Sequence, residues 1–79
     1  MNEKLYKAIV DGKSDHNIDF NDFRNLIVDL GFVCKGQEGS HISYLHKEIR
    51  EYMNIQSDGS KAKAYQVRQL RRIIKIHNL

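Results

Sequence analysis

Apolar positions change their spacing several times along this chain, and each change marks an element. Near the start, Leu5, Ala8 and Ile9 fall on one side of a helical repeat over Asn2 to Val10, with Gly12 just past its end. Gly12 to Asn17 is a polar connector. Phe20, Phe23, Leu26, Ile27 and Leu30 then return at helical spacing. Asp19 suits the N-cap of that second helix, Asp22 favours the positive end of its dipole, and Gly31 closes it. After Gly31 the period shortens. Phe32-Val33-Cys34-Lys35 predicts a strand, Gly36-Gln37-Glu38-Gly39 a turn, and Ser40 to His46 a second strand of a hairpin. Side chains alternate in that strand, placing Ile42 and Tyr44 on the core side and His41, Ser43 and Leu45 on the other. Lys47 to Arg50 is a polar connection, Glu51 to Gln56 a third strand, and Ser57-Asp58-Gly59-Ser60 a flexible turn. A last helix begins at Tyr65 or Gln66 and runs to about His77, with Val67, Leu70, Ile73 and Ile74 as its core stripe.

The predicted fold class is α+β, in the order α-α-β-β-β-α. A three-stranded antiparallel sheet would carry helices on one face, an arrangement shared with double-stranded RNA-binding domains. One domain over 1–79 is expected, with 1–18 as N-terminal helix and connector and 19–79 as the core. A chain of 79 residues, 41% of them hydrophobic, is near the smallest that a single core sustains without crosslinks. No apolar run has the length of a membrane span, and Met1-Asn2-Glu3-Lys4 lacks the layout of a signal peptide. Cys34 is the single cysteine, so no internal disulfide forms and a reducing cytoplasm is the expected location. Beside Phe32 and Val33, Cys34 reads as a small packed side chain rather than a reactive thiol.

Charge is distributed unevenly. The chain up to Asp58 holds all 10 acidic residues, whereas the stretch after it holds Lys61, Lys63, Arg68, Arg71, Arg72 and Lys75 with no acid. At about 100° per residue, Arg68, Arg72 and Lys75 share the face of the last helix opposite its apolar stripe, with Arg71 at the flank. Ordinary surface helices mix signs to form pairs four residues apart, so this patch points to a polyanion. Lys61 and Lys63 precede the helix N-terminus, a favourable place for phosphate oxygens.

His41 is the candidate for chemistry. It follows Gly39-Ser40 on a rigid strand, facing solvent, and the glycine lets a bulky ligand approach the backbone. His41 and His46 are on opposite faces, and no Cys pair, His-Glu pair or i,i+4 His pair occurs, so no metal site is expected. Cys34 with His41 lacks an orienting third group. Phosphodiester chemistry on RNA remains, because the 2′-hydroxyl supplies the nucleophile. Such an enzyme needs only an acid–base group near neutrality and cations for the developing charge.

Leu30-Gly31-Phe32, then Gly39-Ser40-His41, a third strand and a basic helix preceded by a glycine resemble the HicA family of bacterial toxins. The run from Lys61 through Lys63 and Tyr65 into Arg68-Gln69-Leu70-Arg71 is similar to members with an extra N-terminal helix. The resemblance covers the chain from about Asp19 onward. It implies a fold like a double-stranded RNA-binding domain, mRNA cleavage with neither metal nor small-molecule cofactor, and a HicB-type antitoxin as partner. It carries the essential histidine onto His41. Two positions depart from it: Ile42 stands where many relatives have a second histidine, and Asn54-Ile55-Gln56 where they often have Pro or His. Gly39 and Ser40 would then shape the approach of RNA, while Lys35, Lys61, Lys63, Arg68, Arg72 and Lys75 would hold its phosphates. A non-catalytic RNA-binding module of the same fold is the alternative. A helix-turn-helix DNA reader fits poorly, since no helix directly precedes the last one.

Overall fold

The computed structural model describes residues 1–79, and its first two helices begin by the same device. The side chain of Asn2 accepts a hydrogen bond from the Leu5 amide at 3.0 Å and opens α1 (Glu3–Asp11). Asp19 accepts from the Asp22 amide at 3.0 Å and opens α2 (Phe20–Asp29). Each thereby satisfies an amide that the helix leaves without a partner. Three strands follow, β1 (Val33–Glu38), β2 (His41–His46) and β3 (Glu51–Ile55), in an antiparallel sheet of order β1-β2-β3. A small hairpin of β4 (Ser57–Asp58) and β5 (Lys61–Ala62) leads into α3 (Ala64–His77). The fold is α+β in the order α-α-β-β-β-α, with that hairpin inserted before α3. No helix is long and apolar enough to cross a membrane.

Four local expectations change. Gly36, Gln37 and Glu38 belong to β1, so the hairpin turn is Gly39-Ser40 alone. Gly39 takes φ 61 and Ser40 does not share that region, the arrangement of a type II′ hairpin. The ladder absorbs the added length through an irregularity between Cys34 and Gly36. Cys34 is exposed, not packed, because every residue of this edge strand is exposed. Ser57 to Ser60 is half of the β4–β5 hairpin instead of a loose turn. Finally, α3 starts at Ala64, with Lys63 in extended conformation before it.

One cluster of 15 buried residues forms the core. Ile42 and Tyr44 of β2 and Met53 and Ile55 of β3 meet Phe23, Leu26 and Ile27 of α2 and Val67, Leu70, Ile73 and Ile74 of α3 there. Ile42 is thus a core residue. The helices cover that face of the sheet, and His41, Ser43, Leu45, Tyr52 and Asn54 occupy the open one.

Polar contacts lay α3 along β3. Gln66, 2% exposed, donates from Nε2 to the Asn54 carbonyl at 3.1 Å and accepts from the Gln56 amide at 3.2 Å. Its amide thus imitates a peptide group on the edge of β3 that β2 leaves unpaired. At the other end, His77 Nε2 lies 2.8 Å from Glu51 Oε2. Gln66 to His77 rises about 16 Å as helix and Glu51 to Gln56 about 17 Å as strand, so the two run antiparallel in step.

Arg71 fastens α1 to α3. Its Nε donates to the Ile9 carbonyl at 2.6 Å and its guanidinium pairs with Asp15. Both side chains are mostly buried, so Arg71→Ala strands a carboxylate and a carbonyl. A loss of about 2–4 kcal/mol is expected in urea unfolding. Arg71→Ala unfolding at the wild-type urea midpoint would show the bridge to be idle.

Candidate active site

The two-residue turn sets His41 at the start of β2, directly across from Glu38 of β1, and alternation turns it to the open face. Its Nδ1 lies 3.1 Å from Asn54 Oδ1. Asn54 reaches it because Asn54 pairs with Ser43 in the β2–β3 register, two residues along the same face. The other end of the Asn54 amide, Nδ2, donates at 3.4 Å to both Ser43 Oγ and Tyr52 OH. Those two hydroxyls lie 3.0 Å apart.

With Nδ2 of Asn54 directed at the two hydroxyls, its Oδ1 faces the imidazole, and an amide oxygen only accepts. In that arrangement Nδ1 donates to Asn54, and Nε2 is left on the open face. An amide that fixes the tautomer of a histidine is one form of the orienting third group in acid–base sites. Tyr52 also responds. Hydrogen bonds from Ser43 first and Asn54 second hold its phenol below the ordinary value of 10.0. Glu38, His41, Ser43, Tyr52 and Asn54 together line a shallow depression of about 340 Å³.

Gly39 and Ser40, expected to shape the approach of RNA, form the turn between two residues lining that depression, Glu38 and His41. Ser40 Oγ accepts from Gln56 Nε2 at 2.8 Å, and Gln56 Oε1 accepts from Lys63 Nζ at 3.0 Å. Lys63 is thereby tied, through Gln56, to the residue before His41. Gly39 has open space around its α-carbon, which leaves the approach clear. Lys61 is exposed on β5, across from Asp58. Lys35 lies in β1 and lines a second depression of about 280 Å³ with Val33, Leu45 and Lys47, at the far end of the open face.

Arg68, Arg72 and Lys75 are exposed on α3, turned away from the core on the helical side. His41 is turned away from the same core on the sheet side. The structure does not bring those three cations together with His41. Arg71, the flanking member, is held by Asp15, an acid from the far end of the chain. His46, whose Nε2 lies 3.1 Å from the Leu30 carbonyl, is buried on the opposite face of β2 from His41. No three His, Cys, Asp or Glu side chains converge as a metal site would need.

Sequence reading missed Asn54, Tyr52 and Ser43 as partners of His41. The signal was present for all three: alternation puts Ser43 beside His41 on the second strand, and alternation from Met53 and Ile55 puts Tyr52 and Asn54 on the same face. Gln56 and Gln66 carried no such signal, since a glutamine in a helical stripe gives no hint of the strand edge it will cover. No family model matches the chain, and no curated protein or solved structure matches it either.

Proposed function

We propose that this chain is an endoribonuclease toxin of the HicA type, acting on mRNA in the cytoplasm and neutralised by a HicB-type antitoxin. The observation that carries the reading is the Asn54–His41 contact, which leaves an oriented, accessible base at Nε2. Nε2 takes the proton of the RNA 2′-hydroxyl, and the 2′-oxygen attacks the adjacent phosphorus. The bond from phosphorus to the 5′-oxygen breaks, and that oxygen takes a proton from the solvent that the open face admits. The products are a 2′,3′-cyclic phosphate and a 5′-hydroxyl. Lys63, joined to Ser40 through Gln56, is the candidate phosphate-holding cation that hydrogen bonds tie to the residue before His41. Arg68, Arg72 and Lys75 would engage more distant phosphates of a strand that wraps the molecule. The antitoxin would cover the open face and offer acidic or apolar surface to the basic helix.

One observation favours the alternative of a non-cleaving RNA-binding module. The hydrogen-bond partner of His41 is a neutral amide, with no second titratable group bonded to the ring. Incubating the protein with end-labelled RNA in EDTA separates the readings. Cleavage that persists under chelation and leaves cyclic phosphate ends is the expected result. Retarded but intact RNA would establish the binder, and cleavage abolished by EDTA would overturn the metal-free chemistry.

A further inference from the structure

On the ribonuclease reading above, we infer that Tyr52 is the floor of a base-binding subsite, on which an unpaired nucleobase next to the cleaved linkage stacks. The backbone of Tyr52 lies across from Leu45, yet its hydroxyl reaches Ser43 and Asn54, each two residues nearer His41. A ring that starts at one register position and ends at the next is laid along the sheet instead of standing off it. One side then rests on the strands and the other is offered to solvent. Tyr52 is 52% exposed although two hydrogen bonds fix its tip. An exposed aromatic side chain that is held still loses little freedom on binding, so it suits stacking.

The rest of the open face agrees with a single strand. A shallow depression walled by an exposed aromatic ring suits an unpaired base, and bases paired within an A-form helix have no free ring face to give. Lys35 and Lys47 line the depression at the Leu45 end, about 13 Å along the strand from His41. They share it with Glu48, leaving one net positive charge for a phosphate. Base and backbone therefore have separate places on one surface, with the reacting imidazole at its end.

The test is made in a His41→Ala background, so that binding is read whether or not the protein cuts RNA. A labelled single-stranded hexaribonucleotide is titrated by fluorescence anisotropy. Tyr52→Ala is expected to weaken binding about tenfold or more, while Tyr52→Phe, which keeps the ring but frees its tip, should lose clearly less than Tyr52→Ala. The chain has no tryptophan, so Tyr52→Trp supplies a unique fluorophore whose emission the hexamer should quench. A blunt duplex of the same sequence should compete poorly. Undiminished binding by Tyr52→Ala, or a duplex that outcompetes the hexamer, overturns the subsite. If the His41 protein never cuts RNA but the hexamer still depends on Tyr52, the cleavage reading fails and the subsite stands.

Discussion

His41→Ala is expected to lose about 10²–10⁴-fold in RNA cleavage and to lose growth arrest with it, while unfolding at the wild-type temperature. The fold should be indifferent because the imidazole is exposed and takes no part in the core. The rate should not be, because the imidazole is the acid–base group of the proposed step. Asn54→Ala grades the effect. It leaves the base in place but frees its tautomer and its orientation, so a smaller loss is expected than for His41→Ala. A folded His41→Ala protein that cuts RNA at the wild-type rate would sink the assignment. Equal rates for Asn54→Ala and wild type would remove the orienting role alone.

The second large effect is on stability and falls at Gly31. A β-carbon there would lie 2.6 Å from His46 Nε2, closer than two such atoms approach, and the backbone holds φ at 105. His46 has little room to retreat. It is 6% exposed, its Nε2 lies 3.1 Å from the Leu30 carbonyl, and its ring meets Phe32 edge-on with centroids 5.3 Å apart. Leu30-Gly31-Phe32 thus wraps one buried histidine, which accounts physically for that triplet. Gly31→Ala combines backbone strain with displacement of the ring, together about 2–4 kcal/mol, or about 10–20 °C in Tm. Gly39→Ala makes the comparison: φ is 61 there but nothing stands within 4 Å, so strain alone remains. Thermal melts that rank Gly39→Ala below Gly31→Ala would contradict the steric account.

The elements with a buried face were legible. Asp19 and the stripe from Phe23 to Ile27 define α2, and Val67 to Ile74 define the core side of α3, because burial imposes a period that composition displays. The alternation of β2 correctly sent His41 outward for the same reason. β1 was cut short because an edge strand exposed on all its residues has no burial to pattern it, and Gly36 resembled a turn. The β4–β5 hairpin is too short for any period to show. Cys34 is exposed, contrary to expectation, because its apolar neighbours differ: Phe32 is buried and Val33 is exposed. Charge was harder still. The stretch after Asp58 lacks acids in sequence, but in space Asp15 serves Arg71 and Glu51 serves His77. Lys61, Lys63, Arg68 and Arg72 form no ion pair, whereas Lys75, after the hydrogen bond from Lys7, lies near enough to Asp11 to help hold its carboxyl below the ordinary value.

Gln66 has an outcome for how this small sheet can grow. It occupies the Asn54 carbonyl and the Gln56 amide on the outer rim of β3, whereas no side chain from another element covers the outer rim of β1 in this way. A strand that joins this molecule by backbone pairing therefore meets less obstruction at β1, beside the hairpin that presents His41.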